Sequence, residues 1–319
     1  MDKITEKKTL VLGATGFIGS RLVSALIKRG IAPRILVRED GFIMPDGWSD
    51  AGVEAVRGDV VKGDGLAAAL DGVGTAFYLI HSMGGRNLSR SREFISMDRT
   101  AAENFITAAG PAGLDRVIYL GGLGEVGKGL SEHLASRAEV ADILSSGRPN
   151  ATIFRAAVII GAGGASFEML RYLVERLPVM VCPRWINTRI QPVAVDDVVA
   201  YLVGCLDNPA TAGQRFDIGG PEILTYRKMM DGYTTARGIM KRKIITVPLL
   251  TPALSAYWVD LVTPVPSGIA HPLIEGMKNE VVCRDNRIDE YIKISKTPFM
   301  EAVKRAVREE KSGPGVRGF

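Results

Sequence analysis

Residues 10–19 read Leu10-Val-Leu-Gly13-Ala-Thr15-Gly16-Phe17-Ile18-Gly19, three glycines set between an apolar, strand-like run and a helical pattern. The spacing answers a specific need. Gly13 permits a tight turn off the strand, Gly16 lets the main chain approach an anion, and Gly19 removes the side chain that would hold the helix off the sheet. A diphosphate then fits on the unpaired N–H groups at the helix start, where the dipole favours negative charge. The turn points to a dinucleotide site, with Thr15, Phe17 and Ile18 completing its loop.

Working outward, short β-rich runs alternate with helical ones. Strands are predicted over residues 9–12, 34–37, 53–57, 75–80, 116–120 and 152–156. Helices are predicted over 17–28, 66–70, 96–109 and 131–144; the first sets Phe17, Ile18, Leu22, Ala25 and Leu26 on one face. This alternation implies an α/β fold, a Rossmann-type doubly wound parallel sheet flanked by helices. After Gly161 the pattern loosens into helices over 166–176 and 195–206, a strand over 215–218 and an amphipathic helix over 298–309. The expected division is a dinucleotide-binding domain of residues 1–160 and 193–221. A smaller apolar cap would comprise residues 161–192 and 222–319, the latter forming the C-terminal part.

The 319 residues, 46% hydrophobic and 24% charged, are enough to bury a sizeable core. A net charge of +5 suits an anionic cofactor or an anionic membrane surface. The basic residues are scattered rather than striped, which argues against nucleic acid as a partner. Cys182, Cys205 and Cys283 are far apart and the three histidines are dispersed, so no metal site is expected. The N-terminal decapeptide lacks the apolar segment of a signal peptide, which implies a cytoplasmic protein. Residues 244–274 carry one formal charge, Asp260, together with Tyr257 and Trp258. Pro248, Pro252, Pro264, Pro266 and Pro272 would break a spanning helix there, so the stretch reads as buried or as docking at a membrane surface.

The second strand delivers Arg38, whose guanidinium suits the 2′-phosphate of NADP. Glu39 follows directly and offers the ribose contact of NAD instead, so both cofactors stay open. Asp59, at the end of the third strand, is placed either to touch the adenine edge or to cap a turn. Val60, Ile80, His81 and Ala156 lie at or just after strand ends on the same sheet edge and complete the expected cofactor set.

Further anchors are Gly58-Asp59, Phe154-Arg155, Val158-Ile-Ile-Gly161, Ile190-Gln-Pro-Val-Ala-Val-Asp196-Asp197-Val198 and Phe216-Asp-Ile-Gly-Gly220-Pro-Glu. With these the chain resembles the short-chain dehydrogenase/reductase superfamily, in particular its atypical and extended members, the NmrA-like and epimerase-like NAD(P)-binding proteins. The resemblance spans most of residues 8–220. It implies a tyrosine, and a lysine four residues later, on the helix after the fifth strand, moving the proton that accompanies hydride transfer. It also implies a serine at the end of that strand.

The chain departs from this pattern. The strand ends Tyr119-Leu120-Gly121-Gly122-Leu123, and the helix reads Leu130-Ser131-Glu132-His133-Leu134-Ala135-Ser136-Arg137, without a tyrosine. The i, i+4 slots hold His133 and Arg137, one turn apart on one face. In one reading His133 transfers the proton and Arg137 is a fixed cation; in the other both pack the helix, with Arg137 solvated or paired to Glu132 or Glu139. His81 is a second catalytic candidate. Arg155, Arg189 and Gln191 face the cofactor or substrate, or else form structural bonds; Asp196 and Asp197 read as helix caps.

Two functions follow. One is an NADP(H)-dependent oxidoreductase acting on a hydrophobic small molecule held under the apolar cap. The other is a non-catalytic NADP(H)-binding redox sensor or assembly subunit. The resemblance implies a monomer, or a homodimer paired through residues 96–109 and 131–144.

Overall fold

The apolar runs of the first half become parallel strands, the central ones covered on both faces as continuous Val/Leu/Ile runs require, while the edge strand at residues 54–57 stays largely exposed. The computed structural model describes residues 7–38, 42–81, 91–124, 132–247, 264–265, 270, 274–276 and 278–312. In chain order β1 (Lys8–Leu12) leads into α1 (Phe17–Lys28), β2 (Arg34–Val37), β3 (Glu54–Arg57), α2 (Leu66–Leu70) and β4 (Val73–Tyr78). Then come α3 (Ser91–Ala109), β5 (Arg116–Gly122), α4 (Glu132–Ser146), β6 (Asn150–Ala156) and β7 (Ile159–Ile160). The second half adds α5 (Ala165–Arg176), β8 (Val179–Pro183), β9 (Arg189–Ile190), β10 (Val193–Ala194) and α6 (Val195–Gly204). It closes with β11 (Arg215–Ile218), β12 (Leu224–Thr225), α7 (Tyr226–Arg237), β13 (Lys243–Val247) and α8 (Phe299–Ser312).

Seven parallel strands form the main sheet in the order β11-β6-β5-β4-β1-β2-β3. β1 pairs with β2 on one side and β4 on the other, Leu12 lying opposite both Leu36 and Tyr78. The winding therefore reverses at β1, and a crevice opens beyond the carboxyl ends of β1 and β4. One face of the sheet packs Leu22, Val23 and Leu26 of α1 with Tyr201 and Leu202 of α6 against Phe154 and Phe216. The other face packs Leu66 and Leu70 of α2, Phe105 of α3 and Leu144 of α4 against Tyr78 and Tyr119.

A third cluster builds the cap. Phe167, Leu170 and Val174 of α5 meet Met229, Met230 and Tyr233 of α7 and Phe299, Val303 and Val307 of α8. Among the described residues, the apolar side chains of α5 and α7 are thus largely spent on the cap's own core. The chain then crosses back: within residues 281–297, Ile288 and Ile292 pack on the α1–α6 side of the main sheet. A division at Glu222 places them in the cap, but their burial ties them to the sheet. Asp196 and Asp197 are corrected from helix caps. The residue before α6 is Ala194 and no side chain caps it. Asp197, buried, instead accepts from the Thr297 N–H and hydroxyl, each at 2.7 Å, and Asp196 pairs with Arg305 at 3.3 Å. The acids bind chain returning from the C-terminal region, with the added benefit of sitting in a helix's first turn. Among the described residues no helix is long and apolar enough to cross a membrane.

The seam between α5 and α8 is charged. Arg171 lies 2.8 Å from Glu168 and 3.5 Å from Glu175, and also pairs with Glu310. Arg237 also pairs with Glu175 at 3.0 Å, which leaves Glu168 and Glu310 to share Arg171. Burial, with Glu168 and Glu175 nearby, pushes the Glu310 carboxyl above its ordinary 4.5 despite Arg171. A carboxyl raised in the folded state favours folding while protonated, so its contribution is present below about 4.5 and is lost as pH rises through the raised value. Glu310→Gln should therefore raise stability at neutral and alkaline pH and flatten this part of the pH profile. Melting temperature against pH for both proteins checks this, and parallel profiles would contradict it.

Candidate functional site at the strand carboxyl edge

The glycine turn lies in the crevice between β1 and β4. Gly13 has φ +80°, a conformation open to glycine, and a Cβ there would stand 2.6 Å from the Leu79 carbonyl oxygen after β4. A Cβ on Gly19 would stand 2.0 Å from the Gly13 oxygen, so α1 approaches the turn as closely as backbone allows. α1 starts from Gly16 with no side-chain cap and no acid in its first turn. Its first N–H groups are open to an anion at a helix N-terminus. Thr15 and Gly16 are exposed at the tip, and Phe17 and Ile18 are half-buried. Arg21 stacks over Phe17 at 4.7 Å from the ring centre and donates to the Phe17 and Ala162 carbonyls, fixing the start of the helix.

Arg38 follows β2, exposed and without an ion pair among the described residues. Glu39, its competitor, lies outside the described residues. The Asp59 carboxylate accepts from the Val61 N–H at 2.8 Å while its backbone exchanges bonds with Asp64, so it shapes the turn after β3. Val60 is buried against the sheet, and its carbonyl and that of Val61 accept from the Asn104 amide of α3. Ile80 is half-buried, and Ala156, buried, accepts from the Leu123 N–H. These residues line one edge of one sheet.

The catalytic candidates regroup. Arg137 Nη1 lies 3.1 Å from Nε2 of His81, 56 residues away in sequence. The same His81 nitrogen lies 3.2 Å from the Leu120 carbonyl oxygen. Guanidinium can only donate, so pairing with Arg137 requires a neutral imidazole protonated on Nδ1; donation to Leu120 requires the other tautomer. Two neighbours thus compete for one nitrogen. The His133 side chain lies outside the described residues, and Glu139 is engaged by Arg99 rather than Arg137.

Two further groups complete this cluster and escape local reading. Tyr119 stacks edge-on against His81 at 6.0 Å and donates to the Arg137 carbonyl at 3.4 Å. Burial drives its phenol well above 10, so the hydroxyl is a fixed donor rather than a base. Burial also weighs against the charge on Arg137, while Tyr119 and Asp98 of α3 favour it. Asp98 and Tyr119 are legible only once α3, α4 and β5 are adjacent in space. At Gly122, in the strand end where a serine is expected, a Cβ would stand 2.8 Å from Leu134 Cδ2 and 3.2 Å from Arg137 Cδ, so the glycine makes room for both side chains of α4.

Beyond the ends of β5, β6 and β11 lies a cavity of about 230 Å³, walled by Leu123, Gly124, Arg155, Asp217, Glu280 and Arg284. Arg155 is held from behind: Asp217 Oδ1 accepts from its Nε at 2.8 Å and its Nη2 at 2.6 Å. The other Asp217 oxygen accepts from the Arg284 and Asp285 N–H groups. Both ends of the Gln191 amide are engaged within the fold. It donates to the Gly220 carbonyl and accepts from the Cys283 N–H, a bridge between two loops. Arg189 faces Glu280 at 3.6 Å. A larger cavity, about 430 Å³, flanks α1 and α6 and has none of these groups in its wall.

Residues 5–234 match the NmrA-like family. A ceramide reductase of Caulobacter vibrioides is 32% identical over 70% of this chain and 66% of its own length. Subunit 9 of the NADH dehydrogenase [ubiquinone] 1 alpha subcomplex of Arabidopsis thaliana mitochondria is 27% identical over 69% of this chain and 56% of its own. The chain thus spans just under two thirds of the first of these relatives and little more than half of the second. Among solved structures, the triphenylmethane reductase of Citrobacter sp. complexed with NADP(H) superposes with a TM-score of 0.72 at 18% identity. That match covers 94% of this chain and 100% of the other and establishes a shared fold.

Proposed function

Because the chain belongs to the NmrA-like family, we propose that it is an NADP(H)-binding oxidoreductase acting on a hydrophobic small molecule with one polar end. The observation that carries this reading is the uncapped start of α1 at the point where the sheet reverses, against a turn that admits no side chain. Residues 13–19 would hold the diphosphate, the loop at Asp59 the adenine side, and the exposed Arg38 a 2′-phosphate. A bound nicotinamide cofactor supplies or accepts a hydride. His81 would hold or move a proton, its ring oriented by Arg137 in one tautomer and by the Leu120 carbonyl in the other. The cavity beyond β5 and β6 would take the polar end of the substrate, with the Arg155 guanidinium steadied by Asp217 as its donor. The names of the ceramide reductase and the triphenylmethane reductase accord with an apolar substrate.

Arg38→Ala should weaken NADPH binding by about 1–3 kcal/mol, the scale of a lost hydrogen bond to a charged group, and leave NADH unaffected. Equal losses for both would assign the 2′ site elsewhere. The catalytic claim is tested by NADPH consumption with long-chain ketones and amide-bearing lipids. His81→Gln should slow turnover roughly a hundredfold, far more than it weakens NADPH binding. Undiminished turnover would remove His81 from the chemistry.

A second reading, a redox sensor without turnover, draws on the missing tyrosine–lysine pair and on a Tyr119 phenol held protonated. It requires NADP and NADPH to bind with clearly different affinities and no substrate of that panel to be reduced.

A further inference from the structure

Two short strands of the cap, β8 and β13, run parallel, with Val179 opposite Lys243, Met180 opposite Ile244 and Val181 opposite Ile245. Register partners share a face, and successive residues alternate faces. Met180 is buried in the cap core and Ile244 packs against it, so Val179, Lys243, Val181 and Ile245 share the opposite face. There Val179 is 49%, Val181 57% and Ile245 43% exposed, and Met240, just before β13, is 83% exposed. Single exposed apolar side chains are ordinary on a soluble protein. A row of them along one sheet face is not.

Charge frames this row. Residues 176–190 hold Arg176, Arg184 and Arg189, and residues 237–247 hold Arg237, Lys241, Arg242 and Lys243; neither segment contains an acid. Arg237 and Arg242 turn inward to Glu175 and the Val174 carbonyl, and Arg189 faces Glu280. Arg184, Lys241 and Lys243 remain exposed beside the apolar row. In sequence, β13 runs on into residues 248–259, which include Tyr257 and Trp258 and carry no charge.

We propose that this face of the cap is the surface on which the protein rests against an anionic lipid bilayer. Apolar side chains entering the headgroup boundary and cations meeting anionic headgroups are each weak alone and additive together. A second copy is disfavoured as occupant: an isologous contact centred on this row would bring Lys243 and its neighbours toward their own symmetry mates. None of these residues belongs to the nucleotide crevice, so the inference stands whether or not the proposed chemistry does.

Co-sedimentation of the full chain with vesicles of phosphatidylcholine, and with vesicles of phosphatidylcholine mixed with phosphatidylglycerol, tests it. The protein should sediment with the anionic vesicles, at least about tenfold less with neutral ones, and progressively less as salt rises. Lys241→Gln with Lys243→Gln should weaken that binding roughly 10- to 30-fold, and Val181→Asp with Ile245→Asp should abolish it, circular dichroism remaining unchanged. If the aspartate pair fails to fold, the lysine pair decides alone, since both lysines lie outside the core. Three results would overturn the proposal: no sedimentation with anionic vesicles, binding indifferent to the lysine pair, or a solution dimer dispersed by the aspartate pair.

Discussion

Replacing Gly19 with alanine is expected to cost about 2–3 kcal/mol of stability and to abolish dinucleotide binding. The added Cβ falls 2.0 Å from the Gly13 oxygen and 2.8 Å from the Ala14 Cα, both backbone atoms that no rotamer change can move. Relief requires α1 to shift off the sheet, which breaks the packing of Leu22 and Leu26 and displaces the N–H groups that would hold the diphosphate. Gly16→Ala supplies the contrast. Among the described residues its Cβ meets only the Gly13 oxygen, at 3.3 Å, and its backbone lies at φ −79°, acceptable to alanine. That variant should fold with near-normal stability and lose affinity for nucleotide, because its methyl group enters the space the diphosphate needs. Thermal melts beside nucleotide titrations separate the two; equal stabilities for both variants would contradict the close approach at Gly19.

Asp217→Ala should be the most destabilising change at the substrate side, at about 3–5 kcal/mol. Asp217 is 2% exposed and accepts four hydrogen bonds, two from Arg155 and one each from the N–H groups of Arg284 and Asp285. Removing it leaves a half-buried guanidinium and two amides without their acceptor, and uncouples β6 and β11 from the returning loop. Asp217→Asn keeps one acceptor oxygen but sets its NH2 against the donors at the other position, so it should recover only part of that loss. Chemical denaturation midpoints measure both, and a loss below 1 kcal/mol for the alanine variant would show that the pair is solvated rather than structural.

The first half of the fold was legible because its information is local. Residues 17–28, 34–37 and 66–70 carry their helix or strand signals within themselves, as do residues 215–218 in the second half, and those elements have the expected bounds. The cap was not legible in the same way. β8 and β13 are short strands whose pairing crosses α7, so neither carries a signal of its own sheet. α7 hid behind a polar composition, although Thr225 caps its start through the Lys228 N–H and Gly238 ends it at φ +71°. Those two residues were the available signal.

The site divides along the same line. The glycine turn and Arg38 are readable from spacing. The partner of Arg137 is not: helical periodicity offers His133 four residues back, whereas the sheet brings His81 from the end of β4. Asp197 and Gln191 show the same limit, since each bonds to a segment about a hundred residues away. The proposed chemistry therefore rests on contacts between strand ends, which no single motif encodes.

The central claim is that the crevice at residues 13–19 holds a phosphorylated dinucleotide, with Arg38 at its 2′-phosphate. Isothermal titration of the full chain with NADPH, and in parallel with NADH, tests it most directly. One NADPH bound per chain, more tightly than NADH, with the difference removed by Arg38→Ala, is the predicted result. Heatless titrations with both nucleotides, or NADH bound as tightly as NADPH, would contradict it.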